Sequence, residues 1–383
     1  MIPLSYCLRN LLRRPGQSLQ LITGTCMVVI LIMTAASVNN AMKKTLGNTG
    51  DPLNTILLGA GSEESVERSE VKKGVEDIIA SSISGIRHVM GKPSVSPEVH
   101  FNGLLSTPDG TSSQGLIRGV QHQALWVHQD VRIVRGRFPR AGEVMLGKLA
   151  PQKLGLNASE LEVGKTLIFN NEKLKISGIF DAIGTVMEAE AWVPLQDLMT
   201  YIQRDNFSCV VVSVKDASSF GDLDAFAKRR LDLELVAIQE SDYYSKLSTF
   251  YAPIRWMAWI CAILLSVAAL FGGLNALFAA FSSRVREFGA MQAIGFNRWK
   301  ILLSLVQESC FSSIIGSLLA FIVVAGTLDN TAVPFSIGVF LLDYNQPVLN
   351  VGVTTCLFLG VIGGLPPAWS CLKPSLTETL RSS

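Results

Sequence analysis

The sequence predicts a membrane α-helical protein, with four transmembrane helices plus an extracytoplasmic mixed α+β domain on a helical stalk. Three observations predict it. The 383 residues are 49% hydrophobic and only 17% charged, with a mean hydropathy of +0.36, an apolar excess foreign to ordinary soluble chains. That excess is gathered into four runs, 19–38, 256–283, 301–328 (free of charge from Cys310 onward) and 348–372. Each supplies the roughly 20 residues that cross a hydrocarbon core of about 30 Å, where only helices satisfy their own backbone. Finally, the long polar stretch 39–255 between the first two runs has the size and patterning of a folded domain.

Loop charge orients these runs, because short basic loops stay on the cytoplasmic side. Residues 1–18 carry Arg9, Arg13 and Arg14 and no acid. The loop 284–300 carries Arg284, Arg286, Arg298 and Lys300 against Glu287. By contrast, the loop 329–347 has Asp329 and Asp343 and no base, while the tail 373–383 has Lys373 and Arg381 against Glu378. The expected topology places both termini in the cytosol, with 39–255 and 329–347 outside. Cysteine usage fits: of the seven, only Cys209 falls in the external stretch, so no disulfide can form within it. The apolar run after Arg13 and Arg14 is longer than the 7–15 residues typical of a signal-peptide h-region, so an uncleaved anchor is expected.

Along the chain, residues 4–14 read as an amphipathic interfacial helix, with Leu4, Leu8, Leu11 and Leu12 on one side and the arginines opposite. Residues 39–46 continue the first span outward. A polar helix is expected over 63–80, strands over 115–120, 131–134, 143–146, 166–170, 174–180, 191–193 and 209–214, and a helix over 218–231. Residues 235–251 read as a helix entering span two and completing the stalk. The domain mixes acids and bases nearly evenly, which argues against a nucleic-acid partner.

Between spans two and three, Val285, Phe288, Met291 and Ile294 step by helical spacing and form an apolar stripe. Gly295 is placed to cap that helix and Asn297 to open the next. The result is a short, stiff corner in the cytosolic loop. Glu308, entering span three, is expected to sit at the inner interface and pair with a basic residue. Gly360 with Gly364, and Gly272 with Gly273, are small residues that let helices approach closely.

The segment Arg284-Val-Arg-Glu-Phe-Gly-Ala-Met-Gln-Ala-Ile-Gly295 resembles the cytosolic loop of the FtsX/MacB superfamily of ABC-transporter permeases, where Arg-Glu-(Ile)-Gly-x-x-(Arg)-Ala-(Ile/Leu)-Gly recurs. Phe288 replaces the usual aliphatic residue and Gln292 the usual basic one. Glu308 with Gly316, and Pro367-Ala368 through Lys373-Pro374, are similar to that family's third span and ending. Gly136-Arg-Phe-Pro, Glu143-Val-Met-Leu-Gly, Val163-Gly-Lys and Ile176-Ser-Gly-Ile-Phe resemble a MacB-type periplasmic core domain.

The resemblance implies a multi-pass subunit of the bacterial cytoplasmic (inner) membrane, paired with a second permease subunit in a homo- or heterodimer. A separate ABC ATPase dimer would bind the ATP and Mg, and this chain none; it would be a permease and not an enzyme. The loop would dock on the ATPase as a coupling helix through Arg284, Arg286, Glu287, Phe288, Gly289, Met291, Ile294 and Gly295. The expected output is export or extraction of a lipophilic, lipoprotein or periplasmic cargo, in contact with membrane lipids and with a periplasmic adaptor or lipoprotein outside. Two alternatives stand beside it: a transmembrane regulator that activates a periplasmic cell-wall hydrolase, and a four-span sensor or scaffold without an ATPase.

Other motifs lead nowhere. Ser159 through Thr166 approaches a phosphate-binding loop but lacks the first glycine, and a strand is expected after it where a helix N-terminus would be needed. His88, His100, His122 and His128 are scattered without metal-ligand spacing, so no metal site is expected. No catalytic constellation is visible.

Overall fold

The computed structural model describes residue 13, residues 15–329 and residues 331–373; the expected helix over 4–14 and most of the tail lie outside these. The described chain divides into two compact units. A helical unit comprises the described residues up to 40, those of 253–331 and those from 342 onward, and a sheet unit comprises 41–252 and 332–341.

Among the described residues, four helices are long and apolar enough to cross a membrane. The first, α1 (Pro15–Asn48), runs unbroken past its apolar stretch. Within the sheet unit follow α2 (Val75–Ser82), α3 (Ala124–Val127), α4 (Ala150–Leu154), α5 (Leu195–Tyr201), α6 (Phe220–Arg229) and α7 (Glu240–Phe250). The helical unit is completed by α8 (Ala252–Ser282), the short α9 (Val285–Ala293), α10 (Arg298–Thr327) and α11 (Gln346–Leu372).

Glycines set how closely these spans pack. A Cβ on Gly316 of α10 would lie 2.6 Å from the Ile22 carbonyl oxygen of α1. On α11, a Cβ at Gly364 would meet Ser309 Cβ at 2.7 Å and one at Gly360 would meet Cys310 Cα at 3.0 Å. The pair Gly360 and Gly364 therefore serves packing inside the unit, whereas nothing lies within 4 Å of a Cβ built on Gly272 or Gly273.

The sheet unit is built on ten strands. They are β1 (Asn54–Gly59), β4 (Val95–Ser106), β5 (Ser112–Val120), β6 (Arg132–Gly136), β7 (Glu143–Gly147), β8 (Thr166–Phe169), β9 (Glu172–Asp181), β10 (Ala191–Pro194), β11 (Cys209–Ser213) and β12 (Leu235–Gln239); β2 (His88–Val89) and β3 (Lys92–Pro93) form a separate small hairpin. Pairing runs β4-β5-β10-β7-β9, and β8 pairs with both β9 and β4, so these six strands close on themselves as a small barrel. Its core includes Val99, Ile117, Leu146, Leu167, Ile176 and Val193. The first half of β4 leaves the barrel to pair antiparallel with β11, which continues through β1 to β12.

All seven expected strands are present, within a residue or three at their ends. Two helical expectations need correction. Residues 235–239 are not helix but strand β12, because Val236 through Gln239 pair with β1, and only from Glu240 does the chain coil into α7. Within 63–80 the regular helix begins only at Val75: Val71 is bridged to Phe207 by backbone bonds, and Gly74 at φ 89° turns the chain before α2. The segment 332–341 is a hairpin, β13 (Ala332–Phe335) and β14 (Gly338–Leu341), that belongs to the sheet unit. Phe340 buries beside Met42, Leu46 and Val186, and Lys153 Nζ donates to the carbonyls of Phe335 and Ser336.

Candidate functional site

In the helical unit the chain turns sharply out of α8 into α9. Phe288 is only 1% exposed and packs with Leu277, Phe281, Ile301, Leu305 and Ala368, while Val285 and Met291 lie half-buried against the same cluster. The predicted stripe therefore faces inward for most of its length. Its last member does not: Ile294 is 79% exposed, because the helix ends at Ala293 and the chain reverses. Gly295, at φ 103°, makes that reversal. Its N–H donates to the Gln292 carbonyl at 3.0 Å and the Phe296 N–H to that of Met291 at 3.1 Å, the paired bonds of a Schellman ending. Two residues later the Asn297 side chain accepts from the Trp299 N–H and opens α10. Trp299 and Trp369, both exposed with ring centres 5.7 Å apart, have the amphipathic character suited to a membrane–water interface.

Arg284 sits at the hinge of this corner and is buried. Its Nη1 lies 3.0 and 2.9 Å from Oε1 and Oε2 of Glu308, its Nε lies 3.4 Å from Glu287 Oε2, and its guanidinium stands 5.4 Å from the Phe288 ring centre. Glu308 thus has a basic partner as expected, supplied by the corner folding back onto α10. Of the residues that the resemblance implies for ATPase docking, Arg284, Phe288 and Gly289 are enclosed by the unit and Met291 is half-buried. Arg286, Glu287, Ile294 and Gly295 face outward. The first group can fasten the corner and the second can present it.

Sequence reasoning missed a buried polar network in the sheet unit. Strand register assembles it: Glu98 lies opposite Cys209 and His100 opposite Arg118, which is itself opposite Trp192. Arg118 forks onto Glu190, with Nε and Nη2 each at 2.7 Å, and its Nη1 reaches Glu98 Oε2 at 2.8 Å. The other Glu98 oxygen accepts from Ser96 Oγ at 2.9 Å and meets His128 Nε2 at 2.7 Å. Glu240, the first residue of α7, accepts from the Asp51 N–H and from Asn54 Nδ2, and lies 3.7 Å from the far nitrogen of His128.

Burial pushes the Glu98 carboxyl up, but the charges of His128 and Arg118 and both histidine bonds outweigh it and hold it well below the usual range. For His128 burial lowers the pKa, and Glu98 reverses this and raises it. His100 is lowered by burial and then by Arg118. Glu98, His100 and Cys209 bring potential metal-ligating atoms within 4.8 Å of one another. Glu98 already accepts four bonds, and burial pushes the Cys209 thiol well up, so the cluster has the chemistry of a completed hydrogen-bond network.

Glu188 lies nearby. Burial first, then a shared hydrogen bond with Asp181, raises its pKa to about 7.

Among the described residues, four membrane-length helices, a tightly capped corner and a strand-rich domain mark an integral membrane protein. The MacB-like periplasmic core domain model matches residues 19–227, and the FtsX-like permease C-terminal model matches residues 259–376. The chain belongs to this family of ABC-transporter permeases.

Among curated relatives, the macrolide export ATP-binding/permease protein MacB of Rhodopseudomonas palustris is 21% identical over 369 residues, covering 91% of this chain and 55% of that protein. The MacB of Campylobacter jejuni serotype O:23/36 is 27% identical over 227 residues, 55% of this chain and 34% of the relative. The chain thus spans about half, or less, of the length of these relatives. The periplasmic region of MacB from Actinobacillus actinomycetemcomitans aligns over 54% of this chain and 96% of that one, at 16% identity and a TM-score of 0.41.

Proposed function

We propose that this chain is the membrane subunit through which a separate ABC ATPase dimer, holding ATP and Mg, drives conformational work outside the bacterial cytoplasmic membrane. Two permease subunits pair, the termini and α9 lie in the cytosol, and the work is export or extraction of a lipophilic, lipoprotein or periplasmic cargo. The observation that carries this reading is the corner around α9. Arg284 and Phe288 fasten it to α10 and to the core of the bundle, while Ile294, Arg286 and Glu287 stay available. A short helix with an exposed apolar residue between charges suits a reversible protein interface. Its attachment lets a push on the outer face move the spans as one body. The curated relatives whose names join ATP-binding to permease support the same link to ATP.

The test is mild-detergent purification of the tagged chain from its native membrane, with mass spectrometry of its companions. An ABC ATPase in near-equal amount is expected, and reconstituted with the chain it hydrolyses ATP at a rate the Ile294→Asp variant fails to support. Absence of any ATPase, under conditions that preserve a control complex, would overturn the reading.

A further inference from the structure

A cleft of about 790 Å³ opens within the sheet unit, between one face of β1, β4, β5 and β11 and helix α7. That volume falls in the range of roughly 300–1,000 Å³ typical of small-molecule sites. Its floor is the outer side of the buried network. Arg118, the one cation there, is already neutralised by Glu98 and Glu190 at 2.7–2.8 Å.

Helix α7 supplies an aromatic wall. Tyr243 and Tyr244 stand edge to face with centres 5.3 Å apart, and Phe250 and Tyr251 repeat the arrangement at 5.3 Å. Phe250, the last residue of α7, is 74% exposed. Among the exposed and half-exposed residues of the lining, Glu63, Glu64 and Glu67 stand with Arg68 and Lys246. Over the whole lining five carboxylates, Glu63, Glu64, Glu67, Glu190 and Glu240, face the three cations Arg68, Arg118 and Lys246, and Arg118 is paired with Glu190 of that set and with Glu98 outside it. The lining therefore keeps a modest excess of negative charge, beside aromatic rings whose quadrupoles also attract positive charge.

We propose that this cleft binds an amphipathic organic cation, its apolar body against the α7 rings and its charged centre beside Glu63 and Glu64. An amphipathic anion of the same shape would meet like charge in the lining and gain nothing from the ring faces. This gives a ligand class to the cargo side of the function above and rests on that reading only for where the ligand goes next. Binding itself requires no ATPase.

The experiment uses the full chain in lipid nanodiscs and two radiolabelled probes of nearly identical shape and opposite charge, tetraphenylphosphonium and tetraphenylborate. Empty nanodiscs correct for partition into lipid. The expected result is saturable binding of one phosphonium per chain, at least about tenfold tighter than the borate, a ratio well within reach of desolvated cation–π and carboxylate contacts. The double variant Glu63→Lys/Glu64→Lys removes that preference, and Phe250→Ser weakens phosphonium binding several-fold. Neither substitution enters the barrel core, and an unchanged thermal transition verifies the fold. Uptake no greater than in empty nanodiscs, equal affinity for both ions, or a double variant that still prefers the cation would each overturn the proposal. Phosphonium binding by a chain that recruits no ATPase would instead overturn the coupling reading alone.

Discussion

Arg284, in the turn before α9, places its Nη1 2.9 and 3.0 Å from the two carboxylate oxygens of Glu308 on α10. The two side chains are 5% and 14% exposed, so the pair is largely out of water. Removing one partner of such a pair costs on the order of 3–5 kcal/mol because the other charge is left alone, whereas exchanging the charges keeps the attraction. Arg284→Ala and Glu308→Ala are each expected to lower the melting temperature of the purified chain and to abolish partner-stimulated ATPase activity. Arg284→Glu/Glu308→Arg should recover most of both. A double exchange as damaged as the worse single variant would show that the ion pair does not fasten the corner.

Ile294 and Gly295 are neighbours with separable roles. Ile294→Asp changes an exposed side chain, so thermal stability should stay within about 0.5 kcal/mol of wild type while ATPase binding falls. At Gly295 a Cβ finds open space, and the strain comes from its φ of 103° alone. Gly295→Ala should therefore cost roughly 1–2 kcal/mol, and Gly295→Asn less, since asparagine tolerates positive φ better. Calorimetry together with pull-down of the ATPase distinguishes the two. Equal loss of stability in Ile294→Asp and Gly295→Ala would contradict the division of roles.

Gly316 and Gly273 offer a contrast between packed and open glycines. A Cβ on Gly316 would lie 2.6 Å from the Ile22 carbonyl, a backbone atom that cannot rotate away, so Gly316→Val should push α1 from α10 and cost at least about 1–3 kcal/mol by overpacking. A Cβ on Gly273 meets nothing within 4 Å, so Gly273→Val should cost the unit far less stability. Thermal unfolding in detergent checks the pair, and a Gly273→Val loss as large as that of Gly316→Val would refute the packing assignment.

Glu188 gives the sheet unit a pH dependence of definite sign. Its folded pKa of about 7 lies above the ordinary value of 4.5, so folding favours the protonated form. Its stabilising contribution is full below pH 4.5 and is lost as pH rises through about 7. Glu188→Gln keeps a neutral donor toward Asp181 at every pH. The variant should match wild type near pH 4.5 and surpass it at pH 8 in chemical denaturation of the chain. Parallel curves from pH 4.5 to 8 would rule this out.

Sequence patterning revealed strands where one face enters a core, and also the fully buried β-branched run of β11, but it did not reveal β1 or β12. In β8, buried and half-buried residues alternate from Thr166 to Phe169, and such alternation is visible before folding. β1 is buried along its whole length, so Asn54–Gly59 has no polar face to mark its period. The segment Leu235–Gln239 abuts a true helix and becomes a strand only because β1 lies beside it.

At the candidate site, the Schellman glycine and the Asn297 cap are local chemistry and could be read directly. The Arg284–Glu308 pair requires the corner to fold back, which no local pattern encodes. Glu98 and His100, two apart on one strand, do share a face by simple alternation. Arg118, His128, Glu190 and Glu240 join them only through register and long-range packing.

The hairpin β13–β14 carries a consequence for how the protein is made. It completes the sheet unit, yet it is encoded after α10, downstream of three of the four membrane-length helices. Chains emerge from the ribosome N-terminus first, so the domain waits unfinished while two further spans are inserted. Through that interval the sites that will receive Phe340 and Val339 stay uncovered. Membrane insertion of the later helices is thereby a timing step in the folding of the sheet unit, and a chain halted after α8 would carry that unit without its last two strands.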